Sequence, residues 1–322
     1  MDAKGREHDR GDRQSEEPTM TNDRRAQADD ASTTPVGGAP IERSTSETAV
    51  LSDRSTAEPI DFTRLAGVRF SALAFDVDTG ERVFEHNADD EFDTASMGKV
   101  FLLHTTLQMM VDGTLDLGEQ LQRRPSERVD ESGIWYLMEQ DSLSVYDVAV
   151  LIGAFSDNFA TNVLIRRVGL DRVAAQVEKL GYRSSGLHDF LRWPRPAKAP
   201  RTLSTGTASE LSDFMARHAR DEFWDESTNE IFRRWLGAGA DTSMVASAFD
   251  LDPLAHYNYQ RDVWVWNKTG TDSSIRADAG IVMTPRRRVA YAVFANWEQG
   301  TDRVVEVVPL MREAGEAIHR FL

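Results

Sequence analysis

The segments with strand-forming patterns lie at the two ends of the chain, and a long helical stretch separates them. Near the start, "VRFSALAFDVDTGERVFEH" (residues 68–86) has alternating apolar residues and a DTG turn, which predicts a β-hairpin. After Asp262, "DVWVWNKTG", "ADAGIVMTP" and "RVAYAVFANW" predict an antiparallel meander, and residues 302–322 predict an amphipathic closing helix. This arrangement favours an α+β fold in which both ends of the chain build one antiparallel sheet flanked by helices.

Helical patterns fill the stretch from about residue 94 to 220 and predict an all-helical lobe inserted into the α/β lobe. The patterns are "SMGKVFLLHTTLQMMVDG", "SVYDVAVLIGAFSDNFATNVLIRRVG" with a break at "SDN", "DRVAAQVEKLGY" and "TASELSDFMARHAR". Between the last two lies a segment with three prolines and no periodicity, residues 183–205. We interpret it as a long loop, and loops of this length in compact domains are often functional.

Composition excludes several classes of partner and chemistry. The formal charge of −16, from 53 Asp+Glu against 37 Lys+Arg, repels phosphates and anionic lipids, so we expect neither a nucleic acid nor a membrane as partner. No stretch approaches the roughly 18 apolar residues of a membrane span. Since the chain has no cysteine, a disulfide, a Cys-ligated zinc ion and a thiol nucleophile are all excluded.

The N-terminal 45 residues are rich in charged and small polar residues and nearly lack aromatics, which predicts disorder. We expect one folded domain over residues 46–322, acting as a monomer. The start of the chain lacks the apolar core of a secretory signal, so the sequence by itself predicts a cytoplasmic protein.

A serine and a lysine lie one helical turn apart at the start of the first apolar helix, as Ser96 and Lys99 in "SMGK". On a helix this spacing places both side chains on one face. A buried lysine has a lowered pKa and can take the proton of a serine nucleophile, while the N–H groups of a helix start can stabilise an oxyanion. The alternative is a helix cap beside a surface lysine. The apolar residues that follow, and a total of only five lysines, favour the catalytic interpretation.

Two further motifs follow in order, "SDN" at Ser156–Asn158 and "KTG" at Lys268–Gly270. Taken singly, the first is consistent with a helix break and the second with an ordinary strand end. Together with the first motif, and with 60 residues between Ser96 and Ser156, they resemble the signature of class A β-lactamases and penicillin-binding proteins over about residues 60–322. The resemblance implies a β-lactamase-like fold with the active site between the two lobes.

The resemblance also implies an acyl-enzyme mechanism. Ser96 would be the acylated nucleophile and Lys99 its proton acceptor or relay. Ser156 would pass a proton to the leaving nitrogen, and the backbone N–H groups of Ser96 and Thr271 would form the oxyanion hole.

The same resemblance implies four substrate-binding residues. Asn158 would hydrogen-bond the side-chain amide of the substrate, Lys268 and Thr269 would hold its carboxylate, and Arg276 would add to carboxylate affinity. The implied substrate is a small molecule, either a β-lactam or a related amide or ester, and no cofactor or metal is implied.

One expected element is missing from the long loop, namely the Glu-x-x-Leu-Asn motif that supplies the deacylating base of class A enzymes. Pro194 stands where the glutamate is expected, and Asp189 is the only acidic residue from 182 to 209. Three outcomes stay open: Asp189 replaces the base rather than capping a loop, Lys99 activates the water, or the acyl-enzyme persists.

The predicted function is therefore a class A β-lactamase-like serine hydrolase. A D,D-peptidase or esterase, a penicillin-binding protein with slow deacylation, a non-catalytic binder and a structural protein are the alternatives. Proteins of this family usually work outside the cytoplasmic membrane, which disagrees with the localisation that the N-terminus predicts.

Overall fold

The computed structural model describes residues 59–192, 194–252 and 262–322. The predicted disorder of residues 1–45, and a start of order at residue 46, lie outside the described residues. The strands of the described part are β1 Val68–Asp76, β2 Arg82–His86, β3 Phe92–Asp93, β4 Gln120–Gln122, β5 Ser142–Ser144, β6 Gly186–Leu187, β7 Ser204–Gly206, β8 Trp264–Asp272, β9 Ile275–Met283 and β10 Arg288–Trp297.

The α-helices of the described part are α1 Lys99–Val111, α2 Val145–Phe155, α3 Asn158–Val168, α4 Leu170–Leu180, α5 Ala208–Ala219, α6 Glu226–Gly237 and α7 Val304–Phe321. Short 3₁₀ turns occur at Ala95–Gly98, Pro125–Glu127, Trp135–Leu137 and Val245–Phe249. None of the helices described is both long and apolar enough to cross a membrane.

The main sheet joins the two ends of the chain, in the order β2-β1-β10-β9-β8. All of its neighbouring strands are antiparallel, and the pairing of β1 with β10 sets Val68 opposite Trp297. This confirms the predicted α+β fold, the N-terminal hairpin and the C-terminal meander.

Both faces of the sheet are buried, which explains why β10 is almost continuously apolar. Val289, Tyr291 and Val293 point into a core shared with α7, whereas Ala290 and Ala292 point into the core on the opposite face. Helix α5 packs on that opposite face against β10, β9 and β1.

Helix α1 runs through the centre of the helical core and is buried on nearly all sides. The Phe101 ring of α1 lies 5.0 Å, centroid to centroid, from the Phe214 ring of α5. Since α5 also covers the sheet, this contact ties the start of α1 to the sheet.

Helix α6 was not predicted by the sequence analysis. It begins after Asp225, whose carboxylate accepts from the Thr228 N–H at 2.8 Å, and it buries Phe232, Trp235 and Leu236. It packs against α2 and β8, so it closes the region between the helices and the end of the sheet.

Candidate active site

Ser96 lies on the tight turn Ala95–Gly98 that leads directly into α1. The preceding residue, Ala95, has a φ of 48°, a left-handed conformation that is strained for a residue with a side chain. Its carbonyl accepts from the Ser204 hydroxyl at 2.5 Å, and the Met97 N–H donates to Thr94 O at 3.0 Å. The turn is therefore held in one conformation with Ser96 at the surface of a cleft.

Lys99 is fully buried beneath that cleft. Its ammonium group donates to the Ser156 carbonyl at 2.6 Å, to the Ser156 hydroxyl at 3.1 Å and to Asn158 Oδ1 at 2.9 Å. Burial, together with the charge of Lys268, holds the pKa of Lys99 well below its usual range, and Asp157 opposes this effect. A lysine with a lowered pKa gives up its proton more readily than an ordinary lysine and can then accept one from a neighbouring hydroxyl.

The SDN segment forms the junction between α2 and α3. Ser156 ends α2 with a φ of 52°, and Asp157 caps α3 by accepting from the Ala160 N–H at 2.8 Å. The other carboxylate oxygen of Asp157 accepts from the N–H groups of Ile134 at 2.7 Å and Trp135 at 2.8 Å. The helix break thus has a capping role, and the same break aims Ser156 and Asn158 at Lys99.

The KTG segment brings the sheet to the serine turn. A Cβ on Gly270 would lie 2.2 Å from Thr94 O and 3.2 Å from the Ser96 N, so only glycine permits this approach. Two residues earlier on β8, Lys268 is buried, with its pKa lowered to about 8 by burial despite the opposing charges of Asp241 and Asp278. Its ammonium group donates to Thr269 O at 2.6 Å.

The three motifs meet at one cleft of about 1020 Å³. Six of the predicted site residues line it: Ser96, Ser156, Asn158, Lys268, Thr269 and Thr271. Among the residues that the structure describes, no group of three or more histidines or carboxylates is arranged to hold a metal ion. The convergence of a serine, a buried amine and a second cation at one cleft suits attack on a carbonyl compound that bears a carboxylate.

Comparison with known proteins agrees with this arrangement. The family model described as the β-lactamase enzyme family matches residues 60–322. The chain belongs to this family. Comparison with curated proteins gives no significant match.

Solved structures of β-lactamases and of a penicillin-binding protein share the fold. PBP-A is similar at 19% identity, with 80% of this chain and 91% of that chain covered and a TM-score of 0.68. A leucine-to-glutamate mutant of PBP-A, in an acyl-enzyme complex with penicillin G, is similar at 20% identity, with 80% of this chain and 91% of that chain covered and a TM-score of 0.67. A class A β-lactamase from Mycobacterium abscessus is similar at 21% identity, with 79% of this chain and 94% of that chain covered and a TM-score of 0.67. At these identities the likeness establishes the fold alone.

Arg276 is next to the site, and its side chain is bound to backbone carbonyls at the turn between β8 and β9. It pairs with Thr271 across β8 and β9, and its guanidinium donates at 2.7 Å to the carbonyls of both Asp272 and Ile275. The guanidinium also lies 5.8 Å from the centre of the Trp297 ring. In this β-lactamase-family chain the carboxylate-binding role of Arg276 stays a prediction, and its use would require the side chain to reorient.

Asp189 is buried and surrounded by donors. Its carboxylate accepts from the Phe190 N–H at 2.8 Å and pairs with Arg192 and, at 3.8 Å, with Arg195. The part of the cleft wall that the structure describes includes both arginines but not Asp189. These contacts favour the loop-capping role of Asp189, and its action as a base stays an untested prediction.

The cleft wall also contains Leu191, a residue that the sequence analysis did not identify. The side chain of Asn162 accepts from the Leu191 N–H at 2.9 Å and donates to its carbonyl at 2.7 Å. Asn162 lies one turn after Asn158 on α3, so this part of the loop is fixed to the helix that carries the SDN motif. By contrast Pro194, the position that the motif comparison aligned with the missing glutamate, is exposed.

Proposed function

We propose that the protein is a serine acylase of the penicillin-binding type, in which Ser96 opens β-lactams to a long-lived acyl-enzyme. The observation that supports this proposal is that the three motifs meet at one cleft whose wall, at the loop position that Asn162 fixes, carries Leu191 rather than a carboxylate. The acyl-enzyme of the PBP-A mutant with penicillin G supports it further, since a protein of this fold reacts covalently with a penicillin.

In the acylation step, Ser96 Oγ attacks the lactam carbonyl and a bond forms between that oxygen and the carbonyl carbon. Lys99, whose pKa is lowered by burial, would take the serine proton in its unprotonated form, either directly or through Ser156, whose hydroxyl lies 3.1 Å from the amine. The N–H groups of Ser96 and Thr271 would stabilise the negative charge on the carbonyl oxygen. The carbon–nitrogen bond then breaks, and Ser156 returns the proton to the nitrogen.

Binding uses charges at a different part of the cleft. Protonated Lys268 and the Thr269 hydroxyl would hold the substrate carboxylate, and Asn158 would bind the amide of the acyl side chain. Because the pKa of Lys268 is about 8, its positive charge, and with it carboxylate binding, would weaken above that pH.

Deacylation needs a base for the attacking water. General base catalysis accelerates such a step by about 10²–10⁴-fold, so an ester for which no carboxylate acts as the base would be long-lived. On this basis, binding and slow release of penicillins is the first candidate function. Cleavage of acyl-D-Ala-D-Ala peptides is the second candidate function. In that reaction the terminal D-alanine leaves the cleft once the acyl-enzyme has formed, which gives a water more room to reach the ester.

Time-resolved intact mass spectrometry with benzylpenicillin tests the proposal. We expect the wild type to gain the full mass of the penicillin, since ring opening releases no fragment, and to keep that mass for many minutes. Ser96→Ala should gain nothing. An adduct on Ser96→Ala would refute the assignment of the nucleophile, and rapid loss of the adduct would favour an efficient β-lactamase instead.

A further inference from the structure

Glu131 stands at the rim of the cleft in a strained backbone conformation, with a φ of 79°. Contacts on both sides fix its position relative to Asn158. The Asn158 side chain donates to Asp130 O at 3.3 Å, and the Asn158 N–H donates to Ser132 O at 3.0 Å. The Ser132 hydroxyl in turn donates to Phe155 O at 3.2 Å. Strain of this kind persists where the surroundings over-determine a position, and it clusters at functional sites.

The carboxylate of Glu131 is exposed, and it forms no ion pair with any residue that the structure describes. It is the one glutamate among the described residues of the cleft wall. Because its backbone fixes its place, and no described residue pairs with it, this charge is available to a ligand.

The arginines of the cleft wall, in contrast, already have partners. Arg192 and Arg195 share the carboxylate of Asp189. Arg201 makes two hydrogen bonds to Asp93, at 2.5 and 2.6 Å. The unpaired charge beside the amide-binding asparagine is therefore negative.

We propose that Glu131 selects substrates with a protonated amine on the acyl side chain, close to the amide that Asn158 binds. This inference rests on the proposed function, because the acyl side chain is the part of the ligand that Asn158 would hold. The substrate class is thus β-lactams or acyl peptides that carry an ammonium group next to the side-chain amide. An uncharged side chain would leave the Glu131 carboxylate solvated, and an anionic one would be repelled.

Three penicillins that differ at one atom position test the proposal: benzylpenicillin, its α-amino derivative ampicillin and its α-carboxy derivative carbenicillin. The second-order rate constant of acylation is measured by intact mass at pH 6.5, where an α-amino group is mostly protonated. Because ion pairs at exposed positions are weak, we expect the wild type to prefer ampicillin over benzylpenicillin by no more than about two- to fivefold.

Glu131→Gln should bring that ratio close to one, and it should accelerate carbenicillin relative to the other two. The matched control is Glu139→Gln, which removes an exposed glutamate outside the cleft wall and should keep the wild-type ratio. In the wild type, 0.5 M NaCl should also reduce the ratio, because salt screens exposed charges.

Equal ratios in wild type and Glu131→Gln would overturn the selectivity proposal while acylation itself stands. Fastest reaction with carbenicillin would overturn it in favour of recognition by Arg192 and Arg195. A wild type that forms no adduct with any of the three penicillins would refute the proposed function, and this inference with it.

Discussion

Replacing Leu191 with glutamate tests why the acyl-enzyme should be long-lived. The backbone of Leu191 is fixed by two hydrogen bonds to the Asn162 side chain, at 2.9 and 2.7 Å, so a new side chain at 191 starts from a held position. Leu191 and Ser96 line the same cleft. We therefore expect a carboxylate introduced here to face the cleft from which a water would approach the ester.

The expected size of the effect follows from the chemistry of that water. A positioned carboxylate contributes about 10²–10⁴-fold as a general base. Placement by substitution alone is imperfect, since an error of about 1 Å can cost about 10²-fold. Taking the upper part of the general-base range, about 10³–10⁴-fold, together with this loss, we expect the adduct of Leu191→Glu to decay about 10- to 100-fold faster than that of the wild type.

The assay is the decay of the benzylpenicillin adduct by intact mass after the free penicillin is removed. Leu191→Gln is the matched control, because it has the shape of glutamate without its basicity, and its adduct should persist as in the wild type. An unchanged lifetime in Leu191→Glu, with acylation and fold intact, would refute the reasoning. Equal acceleration by glutamine and glutamate would assign the effect to cleft hydration instead.

Two further predictions concern the elements that carry the site. Gly270→Ala places a Cβ 2.2 Å from Thr94 O, so β8 must shift from the serine turn, and we expect acylation to slow by at least tenfold while circular dichroism shows a folded protein. His104 and His218 are both buried, with His104 Nδ1 lying 3.2 Å from His218 Nε2. Burial lowers the pKa of both histidines, that of His104 from 6.5 to about 3. As the pH falls, these histidines are protonated in the unfolded state near pH 6.5 and in the folded state only at a much lower pH. The stability that they contribute is therefore complete above pH 6.5 and is lost as the pH falls toward 3. For His104 the loss in the free energy of unfolding is about 3 kcal/mol between pH 6.5 and 4. Urea unfolding at several pH values should show that the free energy of unfolding of His104→Gln falls less between pH 6.5 and 4 than that of the wild type. The same dependence on pH in both proteins would contradict the assignment.

Local patterns were sufficient for most of the fold. The hairpin, the meander and helices α1 to α5 and α7 follow from periodicity and from breakers such as Gly113 and Gly169, which act within a few residues. Helix α6 had a readable signal as well, in the cap at Asp225 and the apolar residues Phe232 and Trp235, but these lie in an otherwise polar segment.

The candidate site divides in the same way. Ser96 and Lys99 are adjacent on one helical turn, so their spacing is visible in the sequence, and SDN and KTG are recognisable as compact motifs. The place of Leu191 depends on hydrogen bonds to Asn162 across 29 residues of sequence, which no local pattern encodes. The direction of the Arg276 side chain depends equally on its surroundings, since its partners are carbonyls at a strand turn.

This division has a physical origin in what each half of the reaction requires. The proposed acylation would need groups held within fractions of an ångström, and in this proposal they come from a helix start, a helix junction and a strand, at Ser96, Ser156 and Lys268. The fate of the proposed ester and the choice of acyl group would depend instead on the walls, where Leu191 and Glu131 are carried by loops that α3 holds through hydrogen bonds. A substitution in those loops can therefore change release or selectivity while the acylation geometry remains intact, which is the separation that the Leu191 and Glu131 variants measure.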